Sequence, residues 1–328
     1  MSKGIGRLMQ AGVAKEAVRG TGETAPTFII PFSEASFTPK DDKIVDEQSF
    51  GVIEDSLGQS IVKEWSEIEL GAPITDKSFG LILLAALGAV NSAANADAAG
   101  TVKDHTFTVA QSAQHQALTI FLDDPIAAAD YKFALSSLSS LEISYELGKF
   151  VNYKAKFLAK KGASATITPS TVTENRFLPQ NLTFKLASAL SGLTGATAIA
   201  IKKLSITIEK NLESDDVLGS TTPADFLNKQ FSVKGDIEAI WQGEADFKTA
   251  ALAGTAQAMR IDLLSTALIG TAAHPQLTID LAKIIFSDWS DPIKLDNIMT
   301  QTLSFKAHYS TADSKLITTK LTNLQASY

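Results

Sequence analysis

The residues of this chain best suited to metal ligation or proton transfer are four histidines, His105, His115, His274 and His308. None has a glutamate at Glu-x-x-His spacing, so the helical arrangement of zinc hydrolases is missing, and each reads as a strand or surface residue. Gly4-Ile5-Gly6-Arg7 begins like a dinucleotide loop, but no strand precedes it and the third glycine is lacking. Neither a Walker lysine nor a Gly-x-Ser-x-Gly elbow occurs. The chain has no cysteine, which removes disulfides, thiolate metal sites and cysteine nucleophiles. Asp123-Asp124 before Pro125, and Asp288 to Asp291 before Pro292, have the composition of turns that close strands. No catalytic site or cofactor is expected.

The carboxylates that stand out are differently arranged. From Lys40 to Glu69, nine acids (Asp41, Asp42, Asp46, Glu47, Glu54, Asp55, Glu64, Glu67 and Glu69) face three lysines. The part from Lys40 to Leu57 has no apolar period. It reads either as a solvated loop or, because long unstructured loops inside compact domains usually carry function, as an arm that reaches a partner.

The elements that hold these residues alternate at period two. Leu141, Ile143, Tyr145 and Leu147 share one face and Glu142, Ser144 and Glu146 the other. After a break at Gly148 the pattern resumes with Val151, Tyr153, Ala155 and Phe157 against Asn152, Lys154 and Lys156. Phe231 to Trp241, Leu182 to Leu186, Leu204 to Ile208, Leu277 to Leu281 and Leu303 to Tyr309 read the same way. This predicts mainly antiparallel β structure with one polar face. Two helices interrupt it. One is capped at Thr75 or Asp76, carries Phe79, Ile82, Leu83, Ala86, Leu87 and Val90 as its stripe, and is followed by Gly88; the other lies within Glu244 to Ala256.

At 328 residues and 34.9 kDa, with 45% apolar and 20% charged residues, the chain can build one or two cores. A net charge of -7 leaves no basic field for holding nucleic acid. The start lacks an apolar signal core, and the longest apolar run, Phe79 to Val90, is too short to span a bilayer, so a soluble, unexported product that meets no membrane is expected.

An internal repeat organises the chain. An offset of 169 pairs Arg7 with Arg176, Ser36 with Ser205, Thr38 with Thr207, Asp46 with Asp215, Ile68 with Ile237 and Glu69 with Glu238. The offset then falls to 168 at Phe79 and Phe247, to 159 where Leu118, Thr119, Ile120 and Leu122 repeat as Leu277, Thr278, Ile279 and Leu281, and to 152 where Tyr153 to Phe157 matches Phe305 to Tyr309. The extra residues of the first copy are assigned to a loop over Asn91 to Asp104. The expected organisation is a first domain over 1–161, a Ser/Thr-rich linker over 162–175 and a second domain over 176–328.

Four segments carry a resemblance: GRLMQAGVAKE near the start, TFIIPFSEASFTPKDDKIVDEQSFGVIEDS, VKEWSEIELGAPITDKSFGLILLAALG, and SLEISYELGKFVNYKAKFLAKK. Together they resemble the tail tube, or major tail, proteins of long-tailed, non-contractile bacteriophages. The resemblance covers the first half directly and the second through the repeat. It implies two tandem β-sandwich or partial-barrel domains, each with one flanking α-helix and a long loop. It also implies a structural virion protein, not an enzyme, assembled in the host cytoplasm into rings that stack as a conduit for DNA ejection.

With two tube domains per chain, the ring would hold three copies with pseudo-sixfold symmetry. Tape measure, tail terminator and tail-tip proteins would be its other partners, and viral DNA would pass without specific binding. About 24 strands at ~4.8 Å spacing and ~45° tilt leave a bore of order 40 Å, enough for a duplex. On this reading Glu67, Glu69, Asp236 and Glu238 face the lumen. Asp41, Asp42, Lys43, Asp46, Glu47, Glu54 and Asp55 belong to a loop between subunits or rings. A terminator or tail-tip ring protein is the related alternative. A two-domain carbohydrate-binding module with Trp65, Trp241 and Trp289 as stacking platforms is the alternative of another class.

Overall fold

The computed structural model describes residues 5–126, 129–168, 171–240, 247–290 and 298–328. The elements of the first half are β1 (Gln10–Lys15), β2 (Phe28–Ile30), β3 (Glu34–Asp46), β4 (Gly58–Pro73), α1 (Phe79–Leu87), β5 (Gly88–Ala94), β6 (Lys103–Val109), β7 (Leu118–Asp123), β8 (Asp130–Glu146), β9 (Asn152–Lys160) and β10 (Ala163–Ala165). Those of the second are β11 (Leu182–Ala187), β12 (Ile201–Asp215), β13 (Asp225–Ile240), α2 (Lys248–Ala253), β14 (Gln257–Leu264), β15 (Gln276–Ser290), β16 (Thr300–Ala307) and β17 (Ile317–Asn323). The fold is mainly β, as the alternating pattern predicts. Trp241, Glu244 and the turn at Asp291 and Pro292 lie outside the described residues.

Pairing runs β3-β4-β9-β8-β7-β1 in the first half and β12-β13-β16-β15-β14-β11 in the second, all antiparallel. The two orders are the same, and each helix follows a corresponding strand, α1 after β4 and α2 after β13, with the β5–β6 hairpin inserted after α1 only. Gly148, at φ 82°, makes the β8–β9 turn expected of it.

Details of the repeat differ. Leu118 to Leu122 is β7, whereas Leu277 to Leu281 lies on β15, which takes the place of β8, so these two runs are not counterparts in the pairing. Opposite Ser36 stands Glu69, and opposite Ser205 stands Asp236 rather than Glu238, a two-residue slip across the second hairpin. Asn91 to Asp104 is not a loop. It holds the end of β5 and the start of β6, a hairpin whose second strand, β6, pairs with β17.

All nine residues of α1 are buried, so a stripe understates it; an element apolar all round belongs inside a core. The N-terminus of α1 is satisfied from the Ser/Thr-rich segment, where the Glu174 carboxylate accepts from the Ser78 amide and, at 3.0 Å, from its hydroxyl. Gly88 closes the helix in the left-handed region at φ 91°, its amide donating to Leu84. Gly254 ends the shorter α2 in the same conformation.

The two halves share one core. β8 pairs with β12 over Glu146 to Ser140 against Lys203 to Glu209, and β6 pairs with β17. The Lys210 ammonium, buried and with its proton affinity pushed well down by desolvation, donates to the Ala85 carbonyl at the end of α1. The Asp97 carboxylate, in the β5–β6 turn, accepts from the amides of Ala272, Thr271 and Ala273 across the halves and of Ala99 in its own turn, which together hold its pKa at about 2.

Candidate assembly surface

Because β8 pairs with β12, the strands form one continuous antiparallel sheet in the order β3-β4-β9-β8-β12-β13-β16-β15. Residues directly opposite one another in such a sheet share a face. One face carries Ile68, Leu70, Ala155, Phe157, Leu141, Ile143, Leu204, Ile206, Val233, Ile237, Leu303 and Phe305, all buried. The other is mainly polar, with Ser36 and Thr38, Glu67 and Glu69, Lys154 and Lys156, Glu142 and Ser144, Ser205 and Thr207, Lys234, Asp236 and Glu238, Ser304 and Lys306, and Ser287; Leu158 and Ile285 are apolar members of it.

Glu67, Glu69, Asp236 and Glu238 therefore stand on one face of one sheet. Glu69 is ion-paired with Lys154 and lies 3.4 Å from Lys156; the hydrogen bond from Lys154 is the main cause holding its carboxyl below the usual range. Lys40 lies 3.4 Å from Glu67. Asp236 accepts from Ser304 at 2.6 Å and Ser205 at 3.4 Å, and Lys234 pairs with Glu209 at 2.9 Å. The face is thus a lattice of both signs. The acid pairs alone do not describe it; the alternation of Glu142, Ser144 and Glu146 and the lysines of β9 belong to the same surface.

The sheet ends in two edges without partners among the described residues. β3 is paired on one side only, by β4, and β15 beyond Ile284 only by β16. Within the chain, the strand corresponding to β15, which is β8, pairs with the strand corresponding to β3, which is β12. The two free edges thus repeat the two sides of the internal junction.

The acidic stretch after Lys40 is a correction to the loop expectation. Asp41, Asp42, Lys43 and Asp46 are on β3, paired with β4 as far as Asp46 opposite Gly58, and only Glu47, Glu54 and Asp55 lie in the connecting turn. The apolar period is absent because the outer part of this hairpin buries neither face: Ile44, Val45, Ile61 and Val62 are all exposed. Lys43 pairs with Asp41 at 2.8 Å. The equivalent second-half hairpin is shorter and rests on the first, through Lys63 to Asp216 at 2.7 Å and the Glu64 amide to the Thr221 carbonyl at 2.7 Å.

Three of the four histidines serve the fold. His105 bonds Ser92 and Asn323, His115 faces the carbonyls of Ala86 and Ala110, and His274 bonds the Ala267 carbonyl. Among the described residues no group of three or more acids and histidines could hold a metal ion, and no helix is long and apolar enough to cross a membrane. Trp65 and Trp289 are not bare platforms: Lys63 lies over one at 5.1 Å and Lys248 over the other at 5.0 Å, and the Trp289 indole donates to Gln301. A family model described as phage tail tube protein matches residues 6–307. No curated protein matches the chain.

Proposed function

The chain belongs to the phage tail tube protein family, a structural component of the virion tail, and from that premise we propose that three copies close a ring with pseudo-sixfold symmetry and that rings stack into the conduit for DNA ejection. The observation carrying this is the internal β8–β12 junction, whose two sides reappear as the free edges of β15 and β3. Repeating that junction between copies continues the sheet and satisfies both edges, which an isolated chain leaves open to indiscriminate pairing.

Two tube domains, 1–161 and 176–328 joined by 162–175, each give four strands to the sheet, and three copies give about 24. The polar face, with Glu67, Glu69, Asp236 and Glu238, then lines the bore. Its interleaved charges leave no basic track for phosphates, so the duplex passes without specific binding. Tape measure, terminator and tail-tip proteins would meet the ends of the tube, which assembles in the host cytoplasm.

The internal junction fixes a register. Glu142 stands opposite Thr207; followed by strand register from Thr38 and Thr207 rather than by the sequence offset of β9 and β16, Gly71, Lys154 and Glu142 of the first half correspond to Glu238, Thr302 and Ser290 of the second, which makes Ser290 the counterpart of Glu142 and Thr38 that of Thr207. Since the chain has no cysteine, T38C/S290C provides a clean test: oxidation should link chains into covalent trimers on a denaturing gel, and native mass spectrometry should give three chains per closed ring. Linkage confined to single chains, or rings of six, would overturn the reading.

A further inference from the structure

The first-half hairpin arm and a groove at its opposite end are complementary. The arm carries a run of exposed apolar side chains, Ile44, Phe50, Val52, Ile53 and Leu57 among them, with Ile53 fully exposed. Between Ile44 and Val62 its charged residues are Asp46, Glu47, Glu54 and Asp55, with no lysine or arginine. Exposed apolar residues gathered this densely mark a contact surface.

At the other end of the same strands, where β3 begins, a groove of about 550 Å³ is lined by Arg7, Met9, Ile29, Pro31 and Phe32. Ile5 and Leu8 stand exposed beside it. No carboxylate lines it, and Arg7 makes no ion pair among the described residues. Arm tip and groove are separated by the length of β3, 13 residues or roughly 40 Å.

We propose that the arm of one copy docks its apolar tip into the Arg7–Phe32 groove of a copy in the adjacent ring. Two different surfaces at opposite ends of one element make a head-to-tail contact, which does not close and so propagates as a filament. The second half does not repeat the pair: its hairpin, although tipped by exposed Val217 and Leu218, is braced on the first by Asp216 and Thr221, and Arg176, the counterpart of Arg7, is engaged over the Phe150 ring at 5.2 Å. Each ring-to-ring interface therefore has three such contacts, not six.

This inference rests on the stacked-ring reading, and the test separates the two. Wild-type protein, F50D/I53D and R7E are purified and examined by native mass spectrometry for rings and by negative-stain microscopy for tubes. Melting curves verify that these surface variants remain folded. The expected result is wild-type rings in all three, with tube yield at least tenfold lower in both variants and recovered when R7E is combined with E54K/D55K. In tubes mixed from I53C and L8C chains, oxidation should form the I53C–L8C heterodimer. Normal tubes from F50D/I53D, or absence of that heterodimer in intact tubes, would overturn the docking. Wild-type protein that forms no rings would overturn the stacked-ring reading and the docking with it.

Discussion

Arg19 and Asp225 join the two halves through one guanidinium. Arg19 Nε lies 2.9 Å from each carboxylate oxygen of Asp225, while its terminal nitrogens donate to the carbonyls of His115 at 2.6 Å and Phe226 at 2.8 Å. Both side chains are about three-quarters buried. A planar fork that satisfies two carbonyls and a carboxylate together has no substitute in lysine. Arg19→Lys should cost about 2 kcal/mol in urea unfolding, and a cycle with Asp225→Asn should give a coupling of order 1 kcal/mol. A coupling near zero would assign the loss to the carbonyl contacts alone.

His115 sets an acid limit. Burial is the main cause that pushes its pKa down to about 4, aided by the nearby Lys210 charge and outweighing the carbonyls of Ala86 and Ala110 that favour the cation. Between about pH 6.5 and 4 the unfolded chain therefore holds the proton that the folded chain refuses. The stability contributed by His115 is present above that window and falls as pH drops through it, by about 3 kcal/mol in all. Urea midpoints at pH 7 and 4.5 should differ more for wild type than for His115→Asn. Equal differences would remove His115 from the acid response.

Gly235 is needed for the second hairpin. A Cβ there would meet the Ser205 carbonyl oxygen at 2.0 Å and the Phe305 ring at 2.6 Å. Gly235→Ala should cost about 3 kcal/mol or abolish folding, whereas Gly58→Ala, which meets nothing within 4 Å, should fall within about 0.5 kcal/mol of wild type. Circular dichroism during thermal unfolding separates the two outcomes.

The polar face is expected to act in passage rather than assembly. Replacing Glu67, Glu69, Asp236 and Glu238 together by lysine should leave tube morphology unchanged and slow DNA release from assembled particles, measured by dye fluorescence after triggering. The Glu69 substitution also breaks pairs with Lys154 and Lys156, so E69Q alone serves as the control and should leave release unchanged. Normal release from the fourfold variant would remove these acids from the bore.

Legibility in the sequence followed burial. Wherever one face of a strand meets the core, as at Leu141, Ile143 and Tyr145, alternation identified the strand, and Gly148 and Gly88 marked its turn and the end of α1. Where a strand buries neither face, as from Asp41 to Asp46, nothing selects apolar residues at every second position, and a strand reads as a loop. The β5–β6 hairpin escaped for the related reason that small residues, Ala93 and Ala94, leave little pattern. The pairing of Leu118 to Leu122 with Leu277 to Leu281 misled because buried strands share one apolar vocabulary, so similarity of side chains does not establish equivalence of position. The four acids were found on one face because parity along each strand is fixed. Their countercharges came from strands that only the tertiary pairing brings alongside.

The β8–β12 junction also bears on the kinetics of closure. Joined by a chain of a few dozen residues, its two strands meet at an effective concentration in the millimolar range, whatever the amount of protein in the cell. In a ring of three, half of the sheet junctions are therefore already made when the chain folds. Nucleation of the proposed ring would then require an encounter of three bodies rather than six, and its onset would rise with about the third power of protomer concentration. Fewer encounters also leave fewer partly closed arcs, and every missing piece of such an arc is a whole chain.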